Sequence, residues 1–104
     1  MASTNARQQD RIDTELVLEK QKGQVQLNWL VEKDSDISYY TIEKSSDGKR
    51  FYELAILITG EEEWTKNSFS YRDKIKKNKT GKLYYRLRKN NKNGTYEYST
   101  VRSI

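Results

Sequence analysis

The stretch from residue 24 to residue 31 constrains this chain more tightly than any other part of it. Val25, Leu27, Trp29 and Val31 alternate there with Gln24, Gln26, Asn28 and Leu30. A period of two places alternate side chains on opposite sides of an extended strand, so one side faces a core and the other faces water. A tryptophan at the centre of such a strand fills the space between two layers. One strand therefore already implies two sheets packed face to face.

The pattern recurs along the chain. Ile12, Leu16 and Leu18 share a parity and mark a first strand over residues 12–20, with residues 1–11 a polar, disordered leader. The second strand covers 24–32 and the third 37–45, where Tyr40 and Ile42 point inward and Tyr39, Thr41 and Glu43 point outward. A fourth runs from Phe51 to Ile58, with Leu54, Ile56 and Ile58 on one side. Phe69 and Tyr71 alternate with serines in a fifth that ends near Asp73. Leu83, Tyr85 and Leu87 alternate with Tyr84, Arg86 and Arg88 in a sixth, and a seventh begins near Thr95. Asp47-Gly48 and Asn93-Gly94 supply the positive-φ positions that tight hairpins need. Tyr96, Tyr98 and Ile104 share a parity that Val101 does not, which predicts a β-bulge near Ser99 to Val101. No segment shows helical periodicity. Seven short strands at regular spacing predict a single all-β, antiparallel sandwich over residues 12–104.

The missing residue types narrow the chemistry. The 104 residues include no cysteine, no histidine and no proline. Without cysteine there is no disulfide, thiolate nucleophile or thiolate metal site. Without histidine the residue most used as a general base at neutral pH is absent, which removes Ser-His-Asp, Cys-His and ordinary zinc hydrolase arrangements. Only carboxylate, lysine or tyrosine chemistry is left, so the sequence reads as a non-enzyme with no cofactor and no metal. The net charge of +5 comes from 20 basic and 15 acidic residues that are well mixed, which does not indicate nucleic acid. No apolar run approaches the roughly 18 residues of a membrane span. Residues 1–9 lack the apolar stretch of a signal peptide, so an exported parent would carry its signal outside this sequence.

The tryptophan of the second strand, Tyr40-Thr41-Ile42-Glu43-Lys44-Ser45-Ser46-Asp47-Gly48-Lys49, Tyr71-Arg72-Asp73, Gly81 with Tyr84-Tyr85-Arg86-Leu87, and Tyr96-Glu97-Tyr98-Ser99 together resemble a fibronectin type III domain. The resemblance covers residues 13–104. It is nearer the variant found in secreted and surface proteins of Bacteroidetes, where the domain often precedes a type IX sorting signal; the present chain ends at Ile104 with its last strand. The resemblance implies an immunoglobulin-like sandwich in a secreted or cell-surface protein. It also implies a tyrosine corner, for which spacing from Gly81 favours Tyr84 and core parity favours Tyr85. The family often places prolines on the first edge strand and before the sixth. Here edge protection falls to Glu15, Glu19 and Lys20.

Four groups of residues are candidates for contact with a ligand. Lys74, Lys76, Lys77, Lys79 and Lys82 crowd one connection and could bind an acidic or sulfated polymer, against the simpler alternative of a solvated basic loop. Tyr39, Tyr84, Arg86 and Arg88 share one sheet face and could stack on a sugar ring or base, or else pair across strands with Thr41 and Glu43. Trp64, after Glu61-Glu62-Glu63, could be a contact anchor or could fold over the sandwich edge. Glu32, Asp34, Ser35 and Asp36 could begin a calcium site, but calcium takes six or more oxygens, so a polar turn is the better reading. The expected role is a monomeric, non-catalytic spacer or adhesion module, its partners being other domains of the parent protein or cell-surface polymers. The alternative is a carbohydrate- or acidic-polymer-binding domain.

Overall fold

In a computed structural model of the chain, the residues described are 16–30, 37–58, 68–76 and 81–104. They form eight strand segments: β1 (Leu16–Gln21), β2 (Gln24–Leu30), β3 (Ile37–Ser45), β4 (Tyr52–Ile58), β5 (Ser68–Lys74), β6 (Tyr84–Asn91), β7 (Tyr96–Tyr98) and β8 (Arg102–Ser103). No helix occurs among the described residues. All strand pairs are antiparallel. One sheet has the order β1-β2-β5; the other has the order β4-β3-β6-β7, with β8 also paired to β6.

The two sheets bury their apolar sides against each other, as the alternation demands. Val25, Leu27 and Trp29 of β2, with Leu16 of β1, supply one layer. Ile37, Tyr40 and Ile42 of β3, with Tyr85 and Leu87 of β6 and the adjoining Leu83, supply the other. Trp29 is 2% exposed. Its indole stacks on Phe69 at 6.0 Å and meets the edge of Tyr40 at 6.3 Å, so three aromatic rings join β2, β5 and β3. These geometries lie in the range where ring pairs add to the area they bury.

Seven expected strands become eight segments because the last is interrupted. Between the pairs Arg88↔Tyr98 and Tyr85↔Arg102, the terminal strand uses one residue more than β6. That is a β-bulge at the expected place. Ser99 holds it: the Ser99 amide donates to the Leu87 carbonyl at 2.9 Å, and the Leu87 amide donates to Ser99 Oγ at 2.8 Å. The bulge does not turn Val101 inward, since Val101 is 40% exposed. Its effect is to bring Ile104 off the face shared by Tyr96 and Tyr98 and onto the core.

A second bulge corrects the expected facing of β4. The register with β3 shifts between Ile42↔Ala55 and Glu43↔Glu53, leaving Leu54 as the extra residue. Ala55 and Leu57, not Ile56, then pack against the core beside Leu54, and Ile56 is half exposed. The side chain of Ile58 lies outside the described set, as do residues 12–15 of the expected first strand and 31–32 of the second.

The two tyrosines differ in burial and partner. Tyr85 is fully buried and its hydroxyl donates to Asp73 Oδ2 at 2.6 Å, whereas Tyr84 lies on the outer face with its ring beside Gly48. Gly48 has φ +78°, a backbone conformation that favours glycine, and a Cβ there would sit 3.2 Å from the Tyr84 ring, a tight contact.

Candidate functional site

The outward side of β6 gathers most of the chemistry on the five-stranded sheet. Tyr85 and Leu87 point into the core, so Tyr84, Arg86, Arg88 and Asn90 project from the opposite face. Thr41 and Glu43 of β3 lie across from Arg88 and Arg86, and Tyr98 of β7 lies across from Arg88. Tyr39 sits one row along, opposite Asn90.

These side chains are engaged mainly with one another. Arg86 Nε donates to Glu43 Oε1 at 2.7 Å. The Arg86 guanidinium is held between two rings, 4.1 Å from the centre of Phe51 and 4.0 Å from that of Tyr98. Arg88 lies 4.1 Å over Tyr96, and Tyr96 meets Tyr98 edge-on at 5.4 Å. Asn90 Nδ2 donates to Thr41 Oγ1 at 3.0 Å. The result is a ladder of ring, guanidinium and ring across the sheet. It covers Glu43 and Thr41, which are 8% and 2% exposed although their parity faces outward. They point outward as expected, yet they are buried on that face. Within the ladder both faces of the Arg86 guanidinium are taken by rings.

The lysine group is only partly within the described residues. Lys74, Lys76 and Lys82 are exposed and form no ion pair there; Lys77 and Lys79 lie outside, as do Trp64 and Glu32, Asp34, Ser35 and Asp36. Among the described residues no three Asp or Glu side chains converge as a metal site would require, and no helix is long and apolar enough to cross a membrane.

Two features escaped the reading of the sequence. One is a polar cluster between the sheets. Asp73 of β5 accepts the Tyr85 hydroxyl and pairs with Lys44 Nζ at 2.7 Å, and Asp73 is 6% exposed. Burial, with the hydrogen bond and negative charge of Asp73, pushes the Tyr85 phenol far above its ordinary value, so it stays a donor. The cluster holds a carboxylate, a lysine and a tyrosine, the residue types left for acid–base work. All three are committed to each other. The inward parity of Lys44, Asp73 and Tyr85 is the signal that could have found it. The other is the role of Phe51, Tyr96 and Tyr98 in the arginine ladder, which follows from diagonal contacts across strands that a single strand's periodicity does not reveal.

An open depression of about 270 Å³ lies on the three-stranded sheet, lined by Val17, Asn28, Leu30, Ser68 and Ser70 with the backbone flanks of Trp29 and Phe69. It presents no charged side chain. In the hairpin between β3 and β4, Ser45 Oγ accepts from the Gly48 amide, and Asp47 accepts from the amides of Lys49 and Arg50, which holds the Asp47 carboxyl below the usual range. These bonds shape the hairpin between β3 and β4.

No protein-family model and no curated protein matches this sequence. Solved structures of two pectate lyases do match in fold. Pel3 from Pectobacterium carotovorum superposes with a TM-score of 0.67 at 17% identity, over 89% of this chain and 26% of its own. PelI from Erwinia chrysanthemi, solved in complex with tetragalacturonic acid, gives a TM-score of 0.67 at 14% identity over 89% and 28%. The chain thus spans about a quarter of the length of these proteins. At such identities the likeness is one of fold.

Proposed function

We propose that this chain is a fibronectin type III-like sandwich acting as a non-catalytic spacer and interaction module of a secreted or surface protein. The observation that carries the reading is the state of the side chains able to do chemistry. Arg86, Glu43, Lys44, Asp73 and Tyr85 are bound to one another inside or across the sheets, and the depression on the three-stranded sheet lacks an acid or base. Strand order supports the family resemblance, with three strands facing four and the last one split by a bulge. The span of about a quarter of much longer solved chains is in keeping with a module carried by larger proteins. The absence of histidine and cysteine from the sequence supports a role without catalysis.

A second reading, binding of an acidic polymer, is favoured by Lys74, Lys76 and Lys82, which are exposed and form no ion pair among the described residues. Exposed charges act over a Debye length of about 8 Å at physiological salt, so nonspecific attraction would fade there. Titration with heparin and with polygalacturonate at low and physiological salt separates the two. The spacer reading expects only salt-sensitive attraction. Affinity that survives physiological salt and drops when Lys74, Lys76, Lys77, Lys79 and Lys82 become glutamine overturns it.

A further inference from the structure

The two arginines on the outer face of the five-stranded sheet are treated differently. Arg86 has a carboxylate and two rings. Arg88 has a ring and nothing else: its Nε is buried without an acceptor, and its guanidinium forms no hydrogen bond or ion pair among the described residues. Its terminal nitrogens are not among the buried unpartnered atoms, and the residue as a whole is partly exposed. Among the described residues, the carboxylates of Glu43 and Glu97 are bound to Arg86 and Lys89.

The ladder also fixes Arg88 in place. It stacks on Tyr96, Tyr96 abuts Tyr98, Tyr98 stacks on Arg86, and Arg86 is tied to Glu43. A long side chain held this way loses little further freedom when it binds. A guanidinium presenting its paired terminal nitrogens matches the two oxygens of a carboxylate, a geometry that lysine does not reproduce. Apolar surface flanks it on both sides. Thr41 separates Arg88 from Ile56, which is 50% exposed, and Tyr96 on the other side is 48% exposed. Arginine and tyrosine with an aliphatic neighbour on a flat face are the residues that anchor protein–protein contacts. A sugar ring is disfavoured, because Tyr96 already stacks on Arg88 and Tyr98 on Arg86.

We infer that Arg88, flanked by Ile56 and Tyr96, is the docking point for an Asp or Glu side chain of a protein partner. The terminal nitrogens take the carboxylate end-on while the methylenes of the acidic residue lie against Ile56 and Tyr96. This inference rests on the interaction half of the proposed function and gives it a site. It is separable by experiment, because the module reading turns on polymer affinity at the lysines and this one turns on Arg88.

The test uses the isotope-labelled full chain and follows backbone amides and the Arg88 Nε–H by NMR at physiological salt. The probes are a capped hexapeptide of alternating Glu and Leu and, separately, trigalacturonate. The peptide produces saturable shifts at Arg88 Nε–H and at the amides of Thr41, Ile56 and Tyr96. Its affinity falls at least tenfold in Arg88→Gln and at least fivefold in Arg88→Lys, which keeps the charge without the fork. Changing Lys74, Lys76 and Lys82 together to glutamine alters it less than twofold. Absence of saturable shifts at Arg88, unchanged affinity in Arg88→Lys, or saturation by trigalacturonate but not by the peptide overturns the inference.

Discussion

Trp29, Tyr85 and Gly48 carry the fold at the scale of single residues, each by a different mechanism. Trp29 fills the gap between sheets, so Trp29→Ala removes an indole that Phe69 and Tyr40 cannot replace. The expected loss is about 3–5 kcal/mol, a large share of the roughly 5–15 kcal/mol that stabilises a domain. Urea unfolding measures it, and a loss below about 1 kcal/mol would contradict the register. Tyr85→Phe removes the donor to Asp73 and should cost about 1–2 kcal/mol at neutral pH. Its pH dependence has a definite sign. The phenol of the folded chain is raised above the unfolded value near 10, so its contribution is complete below pH ~10 and is lost as pH rises beyond it. Wild type should therefore lose more stability than Tyr85→Phe between pH ~9 and ~11; parallel curves would refute the assignment. Gly48→Ala combines a positive φ with a crowded Tyr84 ring and should cost about 1–2 kcal/mol, read from the shift in thermal midpoint.

At the scale of strands, the outcome turned on bulges. Central strands were legible, because β2 and β3 carry clean alternation and a one-residue slip would expose a whole row of apolar side chains. β3 was read at its observed bounds, Ile37–Ser45. β4 was read with Leu54, Ile56 and Ile58 on one side, since they keep perfect parity in sequence, while one extra residue opposite β3 parts Leu54 from Ile56 in space. Nothing in the strand itself announces a bulge. The terminal strand could be read because its parity broke visibly at Val101. The candidate site was legible only in outline: Tyr39, Tyr84, Arg86 and Arg88 were grouped on one face, as the register has them, but Phe51, Tyr96 and Tyr98 lie on other segments and join through diagonal contacts. Ser99 is the test of the terminal bulge. Ser99→Ala deprives the buried Leu87 amide of its acceptor and should cost about 1–3 kcal/mol, whereas Val101→Ser, at an exposed position, should stay within about 0.5 kcal/mol. Equal effects in the two variants, compared by chemical unfolding, would remove Ser99 from its role.

Across the whole molecule, the residues that look most like a binding site are largely spent on holding the sheet together. Arg86 is the centre of that claim. It ties β6 to Glu43 on β3, and its guanidinium lies between Phe51 and Tyr98, while Arg88, next on the same face of the strand, stacks on Tyr96. A double-mutant cycle of Arg86→Ala and Glu43→Ala in urea unfolding tests it most directly. A largely buried, hydrogen-bonded pair with two stacked rings predicts a coupling of about 1–2 kcal/mol, and a loss of about 2 kcal/mol or more in Arg86→Ala alone. A coupling near zero with Arg86→Ala as stable as wild type would mean that this face is free for a ligand, and the reading of the ladder as structure would fall.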